Sequence, residues 1–206
     1  LGEVILQNAT KDFLVVSDEI YEKIVLRPHV FASFVEACPE LAERTITING
    51  LSKGAALTGW RIGWAVAHPS LIKAMNTIQG QVSSNINTLA QAAATSVLKN
   101  KPDLSQQVEI FERRLALVEG ELRKSSNLDW VSPGGAFYVF FRLKQTSIPV
   151  DLICEKLLTE AGVGLVPGAP FGEDHYLRMS FATSEKALSE GTKRIVHFAN
   201  EALKKS

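Results

Sequence analysis

A chain of 206 residues, 46% apolar and 21% charged, has the make-up of an ordinary globular protein and is long enough for one large domain or two small ones. Its 22 basic and 22 acidic side chains cancel, which gives no support for binding nucleic acid or a membrane surface, and its apolar runs are too short to span a bilayer. Two cysteines, Cys38 and Cys154, and four histidines, His29, His68, His175 and His197, lack metal-ligand spacing, so neither a disulfide framework nor a metal site is expected.

Residues 13–17 are a short apolar, β-branched run that predicts a buried parallel strand with Asp18 at its carboxyl end. Residues 45–49 alternate as Thr-Ile-Thr-Ile-Asn and predict a second strand; residues 62–67 predict a third. Pro69 opens a helix over 70–75 that continues toward Gln79, and 79–87 read as a helix end and loop. Residues 88–98 form an alanine-rich helix whose small side chains suit close packing. Lys99-Asn100-Lys101-Pro102 marks an internal boundary, because Pro102 stops one helix and Asp103 can cap the next.

In residues 104–124, Val108, Phe111, Leu115, Val118 and Leu122 recur at a helical period. After Ser132-Pro133-Gly134-Gly135 comes a strand over 136–142. A helix over 151–160 closes at Gly162, followed by short strands at 163–166 and 176–181. Ser184 then caps a final helix over 185–203. The second half reads as a small α+β domain.

The chemistry-bearing run is Asn49-Gly50-Leu51-Ser52-Lys53-Gly54-Ala55-Ala56-Leu57-Thr58-Gly59-Trp60-Arg61-Ile62-Gly63-Trp64, with Asp18 and Tyr21 upstream. It lacks the Gly-x-x-x-x-Gly-Lys-Ser/Thr spacing of a nucleotide-binding loop. Together these residues supply an amine, a carboxylate, a phenol and a guanidinium, the groups needed around pyridoxal phosphate. Lys53 stands among Gly50, Gly54, Ala55 and Ala56, a small uncharged setting with room for a planar ring; the plain alternative is a surface lysine. Arg178, within the apolar stretch Tyr176-Leu177-Arg178-Met179-Ser180-Phe181, is costly to place in a strand unless a partner pairs with it.

Five pieces occur in order across nearly the whole chain: Ser17-Asp18-Glu19-Ile20-Tyr21; Ser52-Lys53 with Thr58-Gly59-Trp60-Arg61-Ile62-Gly63; Ser132-Pro133-Gly134-Gly135-Ala136-Phe137-Tyr138; Val166-Pro167-Gly168; and Leu177-Arg178-Met179-Ser180-Phe181-Ala182. On these the chain resembles the later part of a class I, fold-type I pyridoxal-phosphate-dependent aminotransferase of the aspartate aminotransferase family. The resemblance implies an α/β fold, with residues 1–100 as part of the large cofactor-binding domain (a mainly parallel sheet flanked by helices) and 101–206 as the small C-terminal α+β domain. It implies a cytoplasmic homodimer that exchanges amino groups between an amino acid and a 2-oxo acid, aspartate with 2-oxoglutarate first among the pairs. Aromatic or prephenate substrates stay open, as does a non-catalytic, effector-sensing role and an organelle-targeting segment.

By the same resemblance Lys53 is the Schiff-base lysine that moves the proton, Asp18 holds the pyridine nitrogen protonated, Tyr21 meets the ring oxygen and Arg61 grips the phosphate. Ser52 can add a hydroxyl to the phosphate, although many relatives place that serine three residues before the lysine, where this chain has Gly50. Arg178 matches the arginine that binds the substrate α-carboxylate. Phe137 either walls the substrate pocket or packs in the core, and Trp60 and Trp64 are expected in the core. Family members carry a long portion before the Asp-x-x-Tyr segment, including a phosphate-binding loop and a ring-stacking aromatic, so the 206 residues alone are expected to be inactive.

Overall fold

Where apolar alternation meets tight turns, the chain builds two small sheets. The computed structural model describes residues 1–10 and 12–204, and they separate into two compact units: Leu1–Val25 with Val30–Leu104, and Leu26–His29 with the chain from Ser105 onward.

The first unit begins with helix α1 (Gly2–Asn8), for which the sequence reading had no counterpart. Strands β1 (Val15–Asp18), β2 (Thr45–Gly50) and β3 (Gly63–Val66) follow in the sheet order β1-β2-β3, with the short helices α2 (Phe34–Ala37) and α3 (Leu51–Gly54) between them in sequence. The parallel pairing expected of residues 13–17 is present between β1 and β2, in the register Val15↔Thr45 to Asp18↔Ile48, whereas β3 runs antiparallel to β2. Burial is the part of that expectation that changes: Phe13, Leu14 and Val16 are 47%, 45% and 61% exposed. The reason is position, since β1 is an edge strand with a single neighbour.

Two helices complete this unit. In α4 (Pro69–Val82) the His68 ring accepts from the Ser70 amide, and in α5 (Thr88–Asn100) the Asn87 side chain accepts from the Leu89 and Ala90 amides. These caps satisfy first-turn donors that have no partner inside a helix. Ala90 and Ala94 are buried, as the small-residue pattern implied.

The second unit holds a continuous core. Helix α6 (Ser105–Leu122) buries Leu115, Val118 and Leu122 at the expected helical spacing. An antiparallel sheet follows, in the order β4-β5-β7-β6, from β4 (Leu128–Val131), β5 (Tyr138–Leu143), β6 (Val166–Pro167) and β7 (Leu177–Ser180). Period-two alternation turns Val139, Phe141 and Leu143 of β5 and Leu177 and Met179 of β7 into the core. Tyr138, Phe140 and Arg178 occupy the alternate positions. Helices α7 (Val150–Ala161) and α8 (Glu185–Lys204) add Ile153, Leu157, Ile195 and Ala199 to the same cluster.

Two strands depart from the sequence reading. β4 was not expected before the Ser-Pro-Gly-Gly turn, and the strand expected at 163–166 is shifted to Val166–Pro167. The shift has a local cause. Gly162 adopts the left-handed conformation that closes α7, and the amides of Gly162 and Val163 donate back to Leu158 and Leu157, so Val163 belongs to the helix stop. Ser184 does accept from the Ala187 amide at 3.2 Å, as its capping role requires.

The short segment Leu26–His29 joins this unit by specific bonds. Leu26 is buried and its amide donates to Gly134 O at 3.0 Å. The Arg27 backbone amide and Nε both donate to Glu112 Oε1 at 2.9 Å, and Arg27 Nη2 pairs with Glu112 Oε2. These bonds hold the Glu112 carboxyl well below its ordinary 4.5, at about 2. A depressed carboxylate pKa stabilises the fold above the unfolded value, and that contribution is lost as pH falls from about 4.5 toward 2. Glu112→Gln is therefore expected to destabilise the unit near neutral pH and to lose that penalty in acid. Urea denaturation of both forms at about pH 6 and about pH 3 checks this, and an equal gap between the variants at both pH values would contradict it.

Candidate active site

Asp18 owes its position to strand geometry. It is the last residue of β1, at the carboxyl end where open α/β sheets gather ligands. Its Oδ1 accepts from the Ile20 amide at 3.2 Å, and the Glu19 amide donates to Ile48 O at 2.8 Å, so the chain turns away while the carboxylate stays at the sheet end. Tyr21 lies half-buried in that turn, where Ile24 N donates to its carbonyl.

β2 ends at Gly50 and leads directly into the single-turn helix α3, which carries Ser52 and Lys53, both half-buried. Gly50 and Gly63 face each other across β2 and β3. A Cβ on Gly50 would meet Ile62 O at 3.0 Å, and one on Gly63 would meet Asn49 O at 2.9 Å, so glycine permits the close approach. Arg61 sits at φ 50, the left-handed region that a non-glycine residue enters at a cost, and its Nη1 donates to Thr58 O at 3.2 Å.

Asp18, Ser52 and Arg61, which come from three separate stretches of sequence, line one open cavity of about 300 Å³ together with Ile20, Asn49, Gly50 and Gly63. Lys53 and Tyr21 do not line it: Lys53 is Ser52's neighbour on α3, and Tyr21 is three residues beyond Asp18. The cavity thus offers a carboxylate, a hydroxyl and a guanidinium, a donor set that suits a ring nitrogen and a phosphate. A roomier groove of about 850 Å³ beside α7 and α8 offers Lys156, Glu160 and Arg194, but Arg194 is already engaged by Ala161 O and Glu190.

The remaining two predicted residues lie in the second unit. Arg178 is half-buried on β7, its guanidinium 4.4 Å from the Tyr138 ring centre and 4.1 Å from that of Phe171. Phe137 stacks on Phe111 at 5.5 Å and lies against the core cluster. Trp64 is half-buried, but Trp60, expected in the core, is 46% exposed, because it stands in the short turn that leads to Arg61 rather than on a packed element.

One residue beside the site escaped the sequence reading. Glu19 is buried, and its Oε1 accepts from Ser17 Oγ at 3.0 Å, Ser33 Oγ at 2.9 Å and the Phe34 amide at 3.0 Å. It ties the end of β1 to the start of α2 and so supports the backbone that carries Asp18. In sequence it is one of two adjacent acids, with no signal to say which turns inward. The cysteines carry no activation: burial and Glu40 push the Cys38 thiol up, and burial does the same to Cys154. No group of three metal-ligating side chains occurs among the described residues.

Similarity to known proteins covers both units. A family model for aminotransferase class I and II matches residues 3–195. The aspartate aminotransferase of Geobacillus stearothermophilus is 38% identical over 204 residues, spanning 96% of this chain and 51% of that protein. The aspartate/prephenate aminotransferase of Nitrosomonas europaea is 36% identical over 196 residues, 89% of this chain and 49% of that protein. Among solved structures, the aspartate aminotransferase of Rhizobium meliloti superposes with a TM-score of 0.87 at 36% identity, covering 96% of this chain and 52% of that one. The chain spans about half the length of the curated relatives it matches.

Proposed function

Because the chain belongs to the class I and II aminotransferases, we propose that the longer protein carrying it transfers amino groups between an amino acid and a 2-oxo acid, using pyridoxal 5′-phosphate. Aspartate is the first-choice amino donor, supported by the names of its relatives, with 2-oxoglutarate as the proposed acceptor; prephenate is the second reading, on the Nitrosomonas europaea relative. The observation that carries the proposal is the convergence of Asp18, Ser52 and Arg61 on one cavity beside Lys53.

When bound, the cofactor supplies the electron sink that stabilises a carbanion at the substrate α-carbon. The chain's own residues do the rest. The Asp18 carboxylate would keep the pyridine nitrogen protonated, and the Tyr21 hydroxyl would bond the ring oxygen. The Arg61 guanidinium would hold the phosphate, with the Ser52 hydroxyl adding a further donor. Lys53 Nζ would hold the cofactor and carry a proton to and from the substrate α-carbon. Arg178 would bind the α-carboxylate, while Phe137, stacked on Phe111 against the core, backs this region from the core side. The unit Leu1–Val25 with Val30–Leu104 is read as part of the large cofactor domain, and Leu26–His29 with the chain from Ser105 onward as the small domain, in a cytoplasmic homodimer. Among the described residues no helix is long and apolar enough to cross a membrane.

Borohydride treatment of the full-length protein with its cofactor, followed by peptide mass analysis, tests this reading together with assays on aspartate, aromatic amino acids and prephenate. The expected result is a cofactor-sized mass increment on the Lys53 peptide and fastest transfer from aspartate. Absence of both the increment and amino transfer would overturn it. The 206 residues alone are expected not to transaminate, since the first unit leaves Phe13, Leu14 and Val16 exposed and the relatives are about twice as long; robust turnover by this chain would contradict that.

A further inference from the structure

The non-core face of the second sheet is a ladder of rings and cations. Phe140 stacks on Tyr176 at 4.9 Å and meets Phe171 edge-on at 6.3 Å. Two arginines lie among these rings, and their partners differ. Arg142 lies 5.4 Å from the Tyr176 ring centre and is also paired with Asp129, with N···O distances of 3.0 and 3.1 Å. Arg178 has two rings, Tyr138 and Phe171, and no carboxylate among the described residues.

That difference is chemical. Rings attract a guanidinium through their faces without neutralising it, whereas a carboxylate from the chain would have to be displaced by any incoming anion. A half-buried arginine held by rings, with no carboxylate partner among the described residues, is positioned with its charge available to a ligand.

The backbone fixes both rings. Tyr138 lies on β5 diagonally across from Arg178, whose direct partners are Phe140 and Val166. Phe171 ends the short turn Ala169–Phe171 that follows Gly168. Gly168 N donates to Tyr176 O at 2.7 Å, and a Cβ there would lie 2.3 Å from Glu173 O and 2.6 Å from Tyr176 O, so glycine alone allows the loop to close this tightly. Phe140 then backs the Phe171 ring.

We propose that Tyr138 and Phe171 form an aromatic seat that pre-positions the Arg178 guanidinium for a carboxylate ligand, making both rings positioning residues for substrate binding. The proposal rests on the reading of Arg178 as the α-carboxylate site. The seat works by reducing the side-chain freedom Arg178 must give up on binding. Its loss therefore appears in substrate affinity, leaving the chemical step intact.

The test uses the full-length protein with its cofactor. Phe171→Leu and Tyr138→Leu are each expected to raise KM for both the amino acid and the 2-oxo acid by roughly 3- to 30-fold, the range a cation–π contact supplies, with kcat changed by less than about twofold. Direct calorimetric titration with propionate, a carboxylate that cannot react, is expected to weaken by the same factor. Phe171→Tyr and Tyr138→Phe are expected to restore both values. Phe171 is 47% exposed, so its leucine variant keeps the fold even where the Tyr138 variant does not. An unchanged KM and propionate affinity in Phe171→Leu, alongside a large KM rise in Arg178→Ala, would overturn the seat alone. An unchanged KM in Arg178→Ala would overturn the reading of Arg178 and the seat with it.

Discussion

Lys53→Ala in the full-length protein is expected to lower kcat by at least about 10³-fold, because one residue both holds the cofactor and moves the proton, and positioned acid–base groups alone are worth roughly 10² to 10⁴. Lys53→Arg is expected to do no better. A guanidinium keeps its charge at any pH the fold survives, so it cannot supply the free amine. Neither change should disturb the fold, since Lys53 is half-buried on a one-turn helix at the protein surface and belongs to no apolar cluster. Steady-state kinetics with circular dichroism as the folding control measure this. A Lys53→Ala enzyme retaining a tenth of wild-type turnover would end the assignment of Lys53.

The largest stability effect is expected at Phe141→Ala. Phe141 is fully buried in β5, between Trp130 of β4 and Leu177 of β7, so truncation removes a ring's burial and leaves a cavity beside a strand paired on both edges. Such changes cost about 3–5 kcal/mol. Val66→Ala, at a 63% exposed position of β3 in the other unit, is expected to change stability by less than about 0.5 kcal/mol. Urea denaturation followed through the Trp130 fluorescence resolves the two, with Trp60→Phe and Trp64→Phe in place to isolate that signal. Equal midpoints for Phe141→Ala and Val66→Ala would show that the second unit's core does not carry the fold's stability.

The contrast between these positions explains which parts of the chain were legible beforehand. In the second unit, apolar period and burial agree because one chain segment supplies both sides of the core: the spacing of Leu115, Val118 and Leu122 names the face of α6 that packs. In the first unit the same kind of pattern misleads. Thr45 and Asn49 are buried while Ile48 and Val16 are exposed, since the sheet there is narrow and β1 has one neighbour.

By itself the sequence determined what is settled within a turn or two of chain. It set the stop of α7 at Gly162, the cap of α8 at Ser184, the break near Pro102, and the grouping of Ser52, Lys53 and Arg61 on one short stretch. Backbone dihedrals, local hydrogen bonds and side-chain period are short-range properties, and residues a few positions apart cannot avoid one another. Only the tertiary structure decided that Asp18 shares a cavity with Ser52 and Arg61, that Glu19 turns inward beside it, that Leu26–His29 joins the second unit, and that Arg178 rests on two rings while Arg142 pairs with an acid. Each of these depends on strand order and loop closure between segments tens of residues apart, where many sequence patterns are compatible and packing selects one.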